Sequence, residues 1–137
     1  MSYEAEAKRI LSECKKIVVV GFSRSSEKAA NSVPMYLKSQ GYTIIPVNPS
    51  IDDYDGMKVY PNLQAVSDSG IMFDVVEVFR PSEEAESIAI EAIEKGSKAV
   101  WLQKGIKSDL ARAMARERGV LYVEDRCMFA DYRAFFT

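Results

Sequence analysis

Residues 17–28 read Ile17-Val18-Val19-Val20-Gly21-Phe22-Ser23-Arg24-Ser25-Ser26-Glu27-Lys28. Four consecutive β-branched residues that end on a glycine are the pattern of a strand buried on both faces. Such strands occur in parallel sheets covered by helices. The run therefore predicts a central parallel strand. After it come a polar loop and a helix over residues 31–40, with Pro34 in its first turn and Gly41 as its stop. Strand, loop and helix open a βαβ unit. Upstream, residues 2–15 place Ala5, Ile10, Leu11 and Cys14 at helical spacing, which predicts a short amphipathic helix over the sheet within residues 1–15.

Further along, residues 42–47 form a second strand closed by Asn48-Pro49, and Pro46 predicts a bulge or a strand end. A loop around Asp55-Gly56, a short edge strand at Lys58-Val59-Tyr60 and one or two helical turns over 61–66 follow. The second half alternates more plainly. Residues 73–79 read as a strand, and Pro81-Ser82 open a helix that Gly96 stops, with Glu83 and Glu84 in the first turn where the helix dipole favours acids. Residues 99–102 are a strand, 108–118 a helix closed by Gly119, and 120–123 a last strand before a tail over 125–137. This alternation predicts an α/β, Rossmann-like doubly wound fold. The sheet is mainly parallel, with five or six strands, helices on both faces and a switch point beside the first strand. At 137 residues the chain is expected to form a single domain over 1–137.

Composition narrows the chemistry. The chain contains no histidine, so histidine metal ligands, Ser-His-Asp and Cys-His pairs and a histidine general base are excluded within it. No metal is expected. Eighteen basic residues, scattered singly or in pairs, stand against twenty acidic ones, which argues against nucleic-acid binding. Cys14 and Cys127 form no CxxC and read as free thiols of a reducing compartment. The stretch from Met1 to Lys16 is charged and lacks the apolar core of a signal peptide, and no apolar run reaches the roughly 18 residues of a membrane span. A soluble, cytoplasmic protein without a membrane partner is the expectation.

In such a sheet ligands lie outside the carboxyl ends of the strands, so the loops at 21–28, 48–56, 79–82, 103–108 and 124–128 should carry the function. Gly21 matches the first glycine of a dinucleotide fingerprint, but serines stand where the second and third would be. Its turn, the loop amides and hydroxyls, and Arg24 suit a phosphate at the start of the next helix. A polar βα loop with a glycine turn reads equally well from this segment alone. An acidic residue normally ends strand two in NAD enzymes; here Val47-Asn48-Pro49 stands there, which counts against NAD.

Several segments recur in order: Val47-Asn48-Pro49; Gly56 with Tyr60-Pro61-Asn62-Leu63; residues 74–80, ending Phe79-Arg80; residues 99–106, with Gln103-Lys104-Gly105; and Asp125-Arg126-Cys127. Together they resemble the small CoA-binding proteins of the Rossmann type, themselves similar to the CoA-binding N-terminal domain of the succinyl-CoA synthetase α subunit. The likeness runs from about Lys15 to Arg126. It implies coenzyme A, or an acyl-CoA, lying across the strand ends. Its phosphates would sit at Gly21, Phe22, Ser23 and Arg24, with Lys28 as a further partner. By the same likeness Asn48 and Pro49 border the adenosine part, Phe79 and Arg80 line the middle, and Gln103, Lys104 and Gly105 approach the pantetheine arm. Glu77 departs from the family's commoner aspartate, and Asp131-Tyr132 from its frequent glutamate-histidine pair.

Some of these residues have plainer readings. Arg24 and Arg80 can be solvated arginines at strand ends, and Asn48-Pro49 can be only a turn. Trp101, flanked by Val100 and Leu102, reads as core. Cys14 reads as packing. Cys127 is either a small core hydrophobe or a thiol site favoured by a neighbouring cation. The aromatic residues Phe129, Tyr132, Phe135 and Phe136 read as a tail packed on its own domain, with a docking patch for a protein partner or second copy as the alternative. The synthetase phosphorylates a histidine, and this chain has none. The resemblance therefore supports a small-molecule binder without catalysis. The alternative is an NAD(P)-linked or CoA-dependent enzyme component whose catalytic residues come from a partner.

Overall fold

A computed structural model describes residues 3–137. In chain order, α1 (Glu4–Glu13), β1 (Lys16–Val20), α2 (Ala29–Ser39) and β2 (Thr43–Val47) come first. A small hairpin of β3 (Asp53–Tyr54) and β4 (Met57–Lys58) leads to α3 (Leu63–Asp68). Then β5 (Val75–Val78), α4 (Ser82–Glu94), β6 (Ala99–Leu102), α5 (Asp109–Arg118) and β7 (Leu121–Val123) alternate, and α6 (Met128–Phe136) follows. Five strands form one parallel sheet in the order β2-β1-β5-β6-β7. The chain leaves β1 toward β2 on one side and returns to β5 on the other, so the switch point lies between β1 and β5. The Rossmann-like α/β fold read from the sequence is the one observed. β1 is interior, one place in from the edge.

Alternation along the strands feeds two cores. Val18, Val20, Val76, Val78, Val100 and Leu102 pack with Leu63, Val66, Ala85, Ala89, Ala111 and Ala115 of α3, α4 and α5. Ile17, Val19, Val75 and Trp101 pack with Ala7, Ile10, Leu11, Val33, Leu37 and Met128 of α1, α2 and α6. Because both faces are covered, the interior strands need apolar residues at every position, which is why β1 reads as an unbroken aliphatic run. Trp101 is fully buried and donates its indole N–H to the Arg126 carbonyl at 2.8 Å, confirming it as core.

Several expectations are corrected. α1 buries Ala7 where Ala5 was expected, and Ala5 is exposed; residue 2 lies outside the described residues. α2 begins at Ala29, so Pro34 falls in its second turn. The ring removes the N–H that would have bonded the Ala30 carbonyl. That carbonyl instead accepts the Ser23 N–H at 3.3 Å, tying the loop after β1 to the helix. Pro46 causes no bulge: it pairs with Val19 in continuous register, as an edge strand tolerates. The edge strand expected at Lys58-Val59-Tyr60 is divided. Lys58 pairs with Asp53 in the hairpin, whose turn residues Asp55 and Gly56 have φ of 49° and 79°, while Tyr60 makes one parallel bridge to Val47. The strand expected over 73–79 is shorter, because the Asp74 carboxylate accepts the Lys15 and Lys16 N–H groups and caps its entry.

The tail is helical over most of its length. α6 packs against α1 and α2, with the Tyr132 ring 5.8 Å from Tyr36 and 5.9 Å from Tyr42. Phe129, Tyr132 and Phe135 pack against the core, while Phe136 is exposed. Among the described residues no helix is long and apolar enough to cross a membrane.

Candidate functional site

The carboxyl ends of β1, β2 and β5 converge on Gly21. Its φ is +91°, and a Cβ there would lie 2.8 Å from the Phe79 carbonyl oxygen and 2.9 Å from Arg80 Cδ. Both the dihedral and the close approach require glycine. The amides beside it are not free. Gly21 and Phe22 both donate to the Val47 carbonyl, at 3.0 and 3.1 Å, and Ser23 donates to Ala30. These three amides hold the loop to β2 and α2.

What the loop presents instead is side-chain charge. Gly21, Phe22, Ser23, Arg24, Lys28, Asn48, Phe79 and Arg80 line one concavity of about 420 Å³. Arg24, Lys28 and Arg80 are exposed, so three cations surround it. Phe22 is fully buried, its ring 5.3 Å from Tyr54, and serves as the floor's anchor. At the same place α2 starts with no side-chain cap and no acidic residue in its first turn. The first helical bonds run from Asn31 and Ser32 to the Lys28 carbonyl, leaving the Ala29 and Ala30 amides outside the ladder. An uncapped helix start beside three cations is an anion-favouring environment.

A second, adjoining lobe of about 450 Å³ lies on the other side of Gly21. Val20, Val47, Pro49, Pro61, Leu63 and Ile88 give it an apolar wall, while Glu84 and Glu91 line it from α4. Asn48 borders both lobes, but its side chain is occupied: Nδ2 donates to the Phe22 carbonyl at 2.7 Å and Oδ1 accepts the Ser50 N–H at 2.8 Å. Asn48-Pro49 forms a turn, and the turn shapes the groove. Arg80 reaches both lobes. Its guanidinium makes two bonds to Glu84, Nε to Oε2 at 2.6 Å and Nη2 to Oε1 at 3.1 Å, and holds that carboxyl below the usual range.

Gln103, Lys104 and Gly105 lie apart from these lobes. Gln103 is buried and its Oε1 accepts the Met128 N–H at 3.4 Å, which braces α6. Gly105 donates its N–H to Asp125 Oδ1 at 2.7 Å, and this bond holds the Asp125 carboxyl below its usual range. Lys104 lines a shallower concavity of about 390 Å³ with Asp125, Arg126, Cys127, Ala130 and Asp131. There Arg126 is already paired with Asp131, at 2.7 and 2.8 Å. Cys127 is half-buried at the start of α6; Cys14 is buried, and burial pushes its thiol up to about 11.

Glu77 is the anomaly of the sheet. It stands in mid-β5 between Val19 and Trp101, wholly buried, and neither carboxylate oxygen has a partner among the described residues. Burial raises its pKa from 4.5 to about 8.

The sequence reading missed the wall that α4 supplies. Glu84, Ile88 and Glu91 recur at helical spacing after Arg80, a stripe that would have marked one face of α4 as bordering the ligand edge.

Fold and groove together define a Rossmann-like α/β domain with a groove at the β1/β5 switch point. The chain belongs to the CoA binding domain family, whose model matches residues 15–133. It is 35% identical over 125 residues to YneT of Bacillus subtilis, covering 91% of this chain and 90% of that one. A solved structure of a hypothetical protein from Pyrococcus horikoshii is 32% identical, with a TM-score of 0.88, 98% of this chain covered and 92% of the other. A Thermus thermophilus structure is 28% identical with a TM-score of 0.84, covering 99% and 100%. Family membership supports coenzyme A as the small-molecule ligand.

Proposed function

We propose that this protein is a cytoplasmic, single-domain binder of coenzyme A or an acyl-CoA, which it holds noncovalently and without catalysis. The observation that carries the reading is the meeting of Arg24, Lys28 and Arg80 at the uncapped start of α2, beside an apolar lobe at the switch point. The phosphates occupy the cationic lobe, held by those side chains and the first amides of α2, with Gly21, Phe22 and Ser23 forming its wall. The adenosine part takes the apolar lobe beside Asn48 and Pro49. The pantetheine arm passes Phe79 and crosses the ends of β5 and β6 toward Gln103, Lys104 and Gly105, which brings the CoA thiol to the side of the sheet where Cys127 lies.

The NAD(P)-linked alternative lacks comparable support. For NAD, the side chain at the end of β2 is the amide of Asn48, spent on the Phe22 carbonyl and the Ser50 N–H, where an NAD site needs a free carboxylate for the ribose; for NADPH, a titration showing tighter binding than CoA would favour the alternative. Titration calorimetry with CoA tests the reading. Arg24→Ala removes a charge-assisted contact of about 1.5–3 kcal/mol, so its affinity should fall by about tenfold or more. No heat with CoA, or equal affinity for the variant, would overturn it.

A further inference from the structure

Of the cations that line the phosphate lobe, Arg80 alone is held by a carboxylate among the described residues. Its aliphatic stem lies against Gly21, which fixes the guanidinium at the junction of the two lobes. Four residues border both lobes, Gly21, Asn48, Ser50 and Arg80, and Arg80 is the charged one. A ligand that spans the groove must pass it. Nε and Nη2 of that guanidinium both donate to Glu84, in the first turn of α4.

The geometry points to Glu84 as an internal competitor for the ligand's phosphate, and hence as a determinant of which anions the groove accepts. This rests on the phosphate-lobe reading above. Arg80 and Glu84 have side-chain exposures of 45% and 53%, so their pair is weak and exchangeable. A phosphoryl group offers the same two-oxygen edge as a carboxylate with more charge, so it can take Arg80 from Glu84. A monoanion offers no such advantage.

The test is a double-mutant cycle on the full chain, with CoA and with inorganic pyrophosphate as probes at low salt. Both positions are exposed, so Glu84→Gln and Arg80→Gln should fold, and thermal melts check this. Glu84→Gln should raise affinity for both probes by about three- to fivefold, as expected for an exposed pair. Arg80→Gln should lower it and abolish the gain from Glu84→Gln. An unchanged or lower affinity for Glu84→Gln, or the same gain in the Arg80→Gln background, overturns the inference. If CoA binds but the cycle is additive, the inference fails and the CoA reading stands. If pyrophosphate shows the coupling and CoA does not bind, the CoA reading fails and the inference stands. If neither probe binds, both fail.

Discussion

Replacing Glu77 by glutamine isolates a cost that burial imposes on the fold. The carboxyl is 0% exposed, lies between Val19 and Trp101, and has no partner for either oxygen among the described residues. Desolvation raises its pKa from 4.5 to about 8. The folded chain therefore keeps Glu77 protonated at pH 7, while the unfolded chain ionises it. For an acid shifted upward, the sign is the reverse of the usual carboxylate case. The contribution of Glu77 to stability is most favourable below pH 4.5, falls as pH rises from 4.5 to about 8, and is level above that, where both states are charged. Each pH unit inside the window costs about 1.4 kcal/mol, or about 3 kcal/mol by pH 7. Glutamine keeps the shape and a neutral polar head but cannot ionise. Urea unfolding across pH 5 to 8 should find the two proteins close at the acid end. The variant should become more stable toward neutrality, with a midpoint shift on the order of 1–2 M at pH 7. Glu77→Met, which removes the polar head altogether, should stabilise at every pH because the neutral acid is also unpartnered. Parallel pH profiles for Glu77→Gln and the parent would refute the assignment of Glu77 as a protonated buried acid.

The remaining predictions concern the ligand edge. Gly21→Ala should cost about 2 kcal/mol or more, because its Cβ would press on the Phe79 carbonyl at an unfavourable φ. Thermal melts should register this as a Tm lower by on the order of 5–10 °C, and an unchanged Tm would sink the argument. If the pantetheine end reaches Cys127, that thiolate should attack the disulfide of oxidised CoA. The products are a protein–CoA mixed disulfide and one released CoA thiolate. Peptide mass spectrometry should find the adduct on Cys127 and not on Cys14, which is buried and has its thiol pushed up to about 11. An adduct on Cys14, or none on Cys127, would contradict the proposed path of the arm.

Burial on both faces made the sheet legible. Ile17 to Val20 and Ala99 to Leu102 are apolar at every position because helices cover both sides, and no other element of this chain leaves so plain a mark. Helices with capping side chains were also readable at their starts: Ser108 accepts the Ala111 N–H and opens α5 where the sequence places it. The misread starts are those without such caps. Lys28 precedes α2 and Cys127 precedes α6, and neither side chain makes a capping bond, so the sequence places the start of α2 two residues late and shows no start for α6. The hairpin of β3 and β4 has strands too short to show a period. Its one sign was Asp55-Gly56, whose left-handed pair of residues fits the tight turn. In the site, Gly21, Arg24, Lys28 and Arg80 could be named because a parallel sheet brings every strand's exit loop to one edge. The part that α4 plays depends on which of its faces turns toward β1, and periodicity alone does not fix that rotation.

The serines that replace the fingerprint glycines find their meaning in the same geometry. Glycines in a dinucleotide loop let backbone amides approach the phosphate. Here those amides are committed elsewhere, two to Val47 and one to Ala30, and the Ser23 carbonyl is held by Asn31 Nδ2 at 2.8 Å. The Ala30 carbonyl is free to accept because Pro34 has no N–H to give it, so a proline inside α2 fixes the loop one helical turn earlier. With these amides engaged, the side chains of Arg24 and Lys28 line the concavity, and Ser25 is in turn tied back through its N–H to Ser23 Oγ at 3.1 Å. The chain Pro34, Ala30, Ser23, Arg24 connects a helix irregularity to the placement of a cation that lines the groove. That connection is why the proposed recognition rests on the charges of Arg24, Lys28 and Arg80, with Glu84 as the carboxylate bonded to Arg80.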